Sequence, residues 1–277
     1  MKTILTTDPA RFARMDTGEL RDHFLLEDLF KRGELSLIYW ECDRTIIGGV
    51  VPTEAGLPLV AGKRELAADY FTQRREVGVI NLGGAGRIKV GPATHELARF
   101  DALYIGRGHP EVVFSSVSAA DPACLYLLSY PAHADYPTAL ARKADATPTH
   151  LGSRAEANER TIYKYIHPGG IKSCQLVMGY TDLAEGCVWN TMKPHTHMRR
   201  SEVYLYFDVP ESQAVFHLLG QPAETRHLVV RNQQAALSPP WSIHAGAGTC
   251  GYCFVWGMGG ENQEFSDMDH VEIRDLR

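Results

Sequence analysis

Lys193-Pro194-His195-Thr196-His197-Met198-Arg199-Arg200-Ser201-Glu202 is the stretch on which the reading of this chain turns. It sets two histidines and a carboxylate within eight positions. Alternate residues of a strand point to one face, so His195 and His197 present both imidazoles to the same side. Glu202 lies five positions past His197, an odd step that an uninterrupted strand would send to the opposite face. A turn over Met198 to Ser201 brings it back beside the pair on the returning strand. Pro194 stiffens the entry. A third histidine, His244, comes about forty residues later, behind Pro239-Pro240, which aim a separate hairpin. His195, His197, Glu202 and His244 are therefore a candidate metal-ligand set. Three imidazoles and a carboxylate suit zinc, iron, manganese or nickel, and the lack of thiolate argues against a closed structural zinc site.

Outward from this stretch the pattern is that of short strands. Thr161–Ile166, Cys174–Tyr180, Val188–Met192, Val203–Val209, Ala214–Leu219, Thr225–Val230, Ala235–Leu237 and Gly251–Met258 are β-branched or aromatic runs ended by glycine and proline. The first half carries the same rhythm in Leu35–Trp40, Thr45–Val51, Val77–Leu82, Gly86–Val90, Ala102–Ile105, Val112–Val117 and Leu125–Ser129. Strands at this spacing predict sandwiches or barrels. Residues 8–32 read as helical, with Asp16 and Glu19 as a capping box and Leu20, Phe24, Leu25 and Leu29 at helical spacing. Pro131, Pro137 and Pro148 interrupt the strands. The predicted division is an N-terminal helical arm (1–34), a barrel without the metal motif (35–135), a linker (136–155) and a metal-binding barrel (156–277). Arg74-Arg75-Glu76-Val77 faintly echoes Arg199-Arg200-Ser201-Glu202-Val203, as a duplicated barrel with one metal site lost would, or as chance would.

Composition narrows the classes. In 277 residues the apolar fraction is 44%, enough for a substantial core, and the net charge of −5 argues against a nucleic-acid binder. No apolar run is long enough to span a membrane, and Asp8-Pro9 arrive too early for a signal-peptide core, so a cytoplasmic enzyme is expected. The cysteines are scattered, as reduced thiols are. Cys250-x-x-Cys253 lies in an apolar run and reads as buried small side chains. His109, His133, His217, His227 and His270 lack ligand company and read as ordinary surface or hydrogen-bonded histidines.

The order His-x-His, four residues, Glu, then Pro-x-x-x-x-His resembles the cupin superfamily. One departure is Trp241, where cupins usually place glycine, so a wider hairpin with its indole toward the pocket is expected. A closer likeness runs through His195-Thr196-His197-x-Arg199-Arg200-x-Glu202-Val203-Tyr204, Phe216-His217-x-x-Gly220-Gln221-Pro222, Trp241-Ser242-Ile243-His244 and Trp256-Gly257-Met258-x-Gly260-Glu261-Asn262-Gln263. It extends to Asp43-Arg44, Arg75-Glu76-Val77-Gly78-Val79-Ile80-Asn81, Gly83-Gly84-Ala85-Gly86 and Asp101-Ala102-Leu103-Tyr104 in the first half. These strings resemble the 4-deoxy-L-threo-5-hexosulose-uronate ketol-isomerase family over nearly the whole chain.

The resemblance implies an all-β double cupin with short N-terminal helices. It also implies one zinc per chain on His195, His197, Glu202 and His244, a homo-hexamer, and a place in pectin and uronate breakdown. The implied substrate is a small anionic sugar, with no nucleic-acid or membrane partner. Its carboxylate calls for a cation, for which Arg199, Arg200 and Lys193 are candidates, with Trp241 as a wall. The general acid–base is open among Glu202, a metal-bound hydroxide, Glu261 and His217. The same ligand set also serves dioxygenases with a redox metal, and a sugar-binding cupin without turnover is a third reading.

Overall fold

β-Branched and aromatic runs that alternate in burial lose least on a pleated surface, and nearly all of the predicted runs pair into antiparallel sheets. The computed structural model describes residues 1–146 and 148–277; Thr147, within the expected linker, lies outside the described residues. The architecture is the expected all-β double barrel, divided into two compact units.

The first unit comprises Met1–Ile4, Asp28–Ala146 and Tyr165–Val177. Its seven-stranded sheet runs in the order Lys2–Ile4, Leu35–Trp40, Thr45–Val50, Leu125–Pro131, Arg75–Asn81, Ala102–Ile105, Ala139–Ala141. A four-stranded sheet, Leu57–Pro58, Val112–Ser116, Gly86–Val90, Ala93–Leu97, supplies the other wall. Val77, Val79, Leu103, Ile105, Leu125 and Leu127 from the first sheet join Ile88, Val90 and Phe114 from the second in one buried core.

The second unit comprises Leu5–Glu27, residues 148–164 and Met178–Arg277. It repeats the plan, with Cys253–Gly260 and Arg200–Phe207 adjacent in its seven-stranded sheet where the first has Leu125–Pro131 and Arg75–Asn81. Its four-stranded sheet is Trp189–Asn190, Ile243–Gly248, Val215–Gln221, Glu224–Val230. Register equates the two arginine-led strands. Arg75 stands opposite Pro131 and Arg200 opposite Gly260 at the strand starts; Val77 pairs with Ile105 and Glu202 with Ser238 at the ends of the next strands. The place of Glu202 is thus held by Val77, and Glu76 takes the place of Ser201.

That one-residue offset turns Glu76 away from the barrel core. Its carboxylate accepts from the Tyr104 hydroxyl at 2.8 Å and from the backbone N–H groups of Cys174, Gln175 and Leu176 at 2.6, 2.7 and 2.8 Å. Those amides are lost to the sheet ladder, so the strand expected over Cys174–Tyr180 forms as Val177–Leu183.

The stretch 8–32, read as helical, holds the expected short helices but is not helical throughout. Helices form at Pro9–Phe12 and Thr17–Phe24, the latter with the Asp16–Glu19 capping box. Leu25–Leu26 then turns extended and pairs with Gln234–Ser238, where its buried side chains close a sheet edge. The expected arm over 1–34 is divided, residues 5–27 packing with the second unit and the rest with the first. Among the described residues no helix is long and apolar enough to cross a membrane.

Candidate metal centre

Local sequence places the first two ligands. His195 lies on the two-residue strand His195–Thr196, opposite His270 of Asp269–His270. The chain turns at Met198-Arg199 and re-enters the sheet at Arg200, which returns Glu202 to the histidines. His244 arrives from Ile243–Gly248, after a turn closed by the Ser242 N–H donating to the Pro239 carbonyl at 2.9 Å. The four ligand atoms lie within 4.8 Å of one another, and all four side chains are buried.

The hydrogen bonds around this cluster choose which atoms face inward. His197 Nδ1–H donates to the Arg200 carbonyl at 3.0 Å, which leaves Nε2 toward Glu202 Oε2 at 2.9 Å. His244 Nδ1 lies 3.1 Å from Ser238 Oγ, which leaves its Nε2 3.1 Å from Glu202 Oε2 and 3.0 Å from His195 Nε2. The Arg200 carbonyl fixes the His197 tautomer, and the Ser238 hydroxyl orients the His244 ring, as outer partners do around a metal. Burial first, and then the neighbouring His244, hold His195 down to about 2. Burial likewise lowers His244. Neutral imidazole is the ligating form. Burial opposes charge on Glu202, and only positive charge among the surrounding imidazoles holds its carboxyl well below the usual range; with those rings neutral, a cation has to supply it. Lone pairs from neutral imidazoles aimed at one another and at a carboxylate repel unless a cation lies among them, so this donor set fits a divalent metal.

The cluster opens through His195 and Glu202 into a cavity of about 300 Å³. Tyr204, Phe254, Trp256, Met258 and Phe265 form apolar walls, and the Tyr204 hydroxyl lies 2.9 Å from Thr191 Oγ1. Three cations line it: Arg160, Lys193 and Arg200.

The sequence-derived candidates separate here. Arg200 is buried, with its guanidinium donating to the carbonyls of Glu264, Phe265 and Asp267. Arg199 turns outward and is held by Asp267 and Asp269. Lys193 reaches the cavity while paired with Glu272 at 2.7 Å. Trp241, expected to face the pocket, packs edge-on against Phe12 and Phe24 and donates to the Thr7 carbonyl at 3.2 Å. The N-terminal helices supply an apolar seat that the indole fills. His217 is fully buried, with Nδ1 accepting from the Tyr206 hydroxyl at 2.7 Å, and does not line the cavity. Glu261 is exposed and away from the cavity. Two lining residues escaped sequence reasoning. His270 was read as an ordinary histidine. Arg160 lies on Arg160–Ile166, and its one hydrogen bond goes to the Asn158 carbonyl at 2.9 Å. Neither sits near the ligand motif in sequence, so no local signal marked them.

A family model described as the KduI/IolB family matches residues 27–273. The 4-deoxy-L-threo-5-hexosulose-uronate ketol-isomerase of Shouchella clausii is 53% identical over 269 residues, 97% of each chain. That of Lachnoclostridium phytofermentans is 50% identical over 277 residues, all of both chains. Among solved structures, an IolB-like protein from Salmonella typhimurium LT2 superposes with a TM-score of 0.72 at 12% identity, covering 91% of this chain and 97% of that one. Bacillus subtilis oxalate decarboxylase gives a TM-score of 0.57 at 8% identity, covering 83% and 71%. Likeness at such identity speaks to the fold, two barrels in one chain.

Proposed function

The chain belongs to the KduI/IolB family and is a ketol-isomerase, an intramolecular oxidoreductase; from that premise we propose that it converts 5-dehydro-4-deoxy-D-glucuronate to 3-deoxy-D-glycero-2,5-hexodiulosonate with zinc on His195, His197, Glu202 and His244. The observation that carries this reading is a buried three-histidine, one-glutamate set opening into a cavity with three cations on its wall.

The substrate has an aldehyde at C1, a hydroxyl at C2, a ketone at C5 and a carboxylate at C6. Isomerisation moves one proton from C2 to C1 and one from the C2 oxygen to the C1 oxygen. No net oxidation occurs, so a redox-inert ion suffices. A bound divalent ion supplies polarisation of the carbonyl and stabilisation of the developing oxyanion.

The chain's own groups do the rest. Among the described residues Arg160 has no carboxylate partner, and it lines the cavity, so it is the cation best placed to take C6, with Lys193 on the same lining. Arg200 is committed to three backbone carbonyls and shapes the wall. Glu202 Oε2 faces the histidines, and the side chain lines the cavity. Oε1 takes the C2 proton and returns it to C1. The Tyr204 and Thr191 hydroxyls pass the second proton between the two oxygens. Phe254, Trp256, Met258 and Phe265 keep water from the intermediate.

The test is NMR of the zinc-replete protein with substrate in D₂O. Replacement of the aldose C1 and C2 resonances by those of the ketose is expected. An unchanged spectrum, or oxygen uptake with a redox metal, overturns the reading. A place in pectin and uronate degradation, a cytoplasmic setting and a homo-hexamer belong to the same proposal. Six free cysteines support the reducing compartment, and sedimentation velocity tests the hexamer.

A further inference from the structure

We propose that the first unit holds a second, metal-free binding site: a pocket at the mouth of its barrel that takes the carboxylate or phosphate group of a small organic anion. The pocket encloses about 230 Å³. Its floor is Tyr39, Leu66, Phe71 and Pro131, and its rim carries Arg44, Arg74 and Arg75.

Arg75 is the centre of the argument. It is 6% exposed, and among the described residues its guanidinium donates to neutral oxygens and to no carboxylate. These are Ser129 Oγ at 3.0 Å, the Ser129 carbonyl at 2.7 Å and the Arg44 carbonyl at 2.6 Å. The carboxylate next in sequence, Glu76, points to the other face of the strand and is consumed by Tyr104 and three backbone amides. A buried guanidinium without a counter-ion is costly, and an entering anion relieves that cost. Burial also lowers the Arg75 pKa to about 10, which leaves it cationic at neutral pH.

The neighbours add charge without cancelling it. Arg74 donates to the carbonyls of Leu66 and Ala67 at 3.2 and 2.6 Å, and Arg44 is an exposed cation on the same rim. Glu65 is the only lining carboxylate, and among the described residues it forms no ion pair with the three arginines. Three guanidiniums against one carboxylate leave the pocket cationic over an aromatic and aliphatic floor, a surface that suits an anionic group on a small carbon skeleton.

The fold supports the same conclusion. Arg75 occupies the strand position of Arg200, whose guanidinium lines the cavity at the metal centre. Val77 stands where that centre has Glu202 and is buried in the apolar core, so the first barrel keeps the arginine-lined mouth without the metal ligands.

Calorimetric titration of the intact, metal-loaded chain with inorganic phosphate and, separately, with D-glucuronate tests this. A saturable event is expected with at least one of them, and the anion that binds identifies the group recognised. Arg44→Gln should weaken that event on the order of tenfold, the loss of one charge-assisted contact, with turnover unchanged. Arg75→Lys, which keeps the charge but not the fork, should weaken it as well. Absence of binding by either anion at millimolar concentration overturns the proposal. So does binding that neither substitution alters.

Discussion

His197 Nδ1–H donates to the carbonyl of Arg200 at 3.0 Å, across the turn that joins the two metal-ligand segments. The bond fixes the ring so that Nε2 meets Glu202 Oε2. Ser238 Oγ does the same for His244. Such outer partners typically contribute ten- to a hundredfold to metal affinity. Ser238→Ala is expected to weaken metal binding by about tenfold, and His244→Ala to lose the metal. Both variants should remain folded, because the apolar cores of the barrels are untouched. Elemental analysis after dialysis, with circular dichroism for the fold, reads both effects. Stoichiometric metal retained by His244→Ala would remove that residue from the centre.

Arg160 should govern the use of the substrate carboxylate. Arg160→Met is expected to lower kcat/KM by roughly ten- to a hundredfold, the worth of a charge-assisted contact, mostly through KM. Metal content should be unchanged. Steady-state kinetics decide the point, and an unaltered KM would shift the carboxylate to Lys193.

Burial sets a pH dependence in the second unit. His217 is pushed down to about 3 by burial first and by the field of His244 second, against an unfolded value near 6.5. The folded chain therefore keeps His217 neutral where the unfolded chain takes up a proton. This contribution is intact above about pH 6.5 and is lost as pH falls toward about 3, at up to about 1.4 kcal/mol per pH unit. Urea unfolding of the wild type and of His217→Gln across that range should show the variant losing less stability. Parallel slopes would place the proton uptake elsewhere.

Glu76 gathers four donors in the first unit. Glu76→Ala leaves them unsatisfied and is expected to destabilise the chain by at least about 3 kcal/mol. Metal content and turnover of the remaining folded protein should stay normal. A variant as stable as the wild type would mean that water replaces the carboxylate without cost.

Much of this protein was legible in its sequence because the relevant physics is local. The β-branched and aromatic runs and their glycine–proline turns announced a strand-built chain. The parity of His195, His197 and a turn returned Glu202 to the pair within eight positions. Three features waited for the tertiary structure. Glu76 looked like an echo of Glu202, yet one residue of register sends it to the opposite face, and parity in a strand is decided by pairing partners elsewhere in the chain. Trp241 looked like a pocket wall until Phe12 and Phe24, over two hundred residues away, packed against it. Arg160 carried no motif at all, and only the sheet order that sets Arg160–Ile166 near the cavity makes it a candidate for the substrate. The ligands of the centre are thus a property of the sequence. The shape, charge and lining of the space they open onto belong to the folded barrel, because long-range packing decides which side chains reach it.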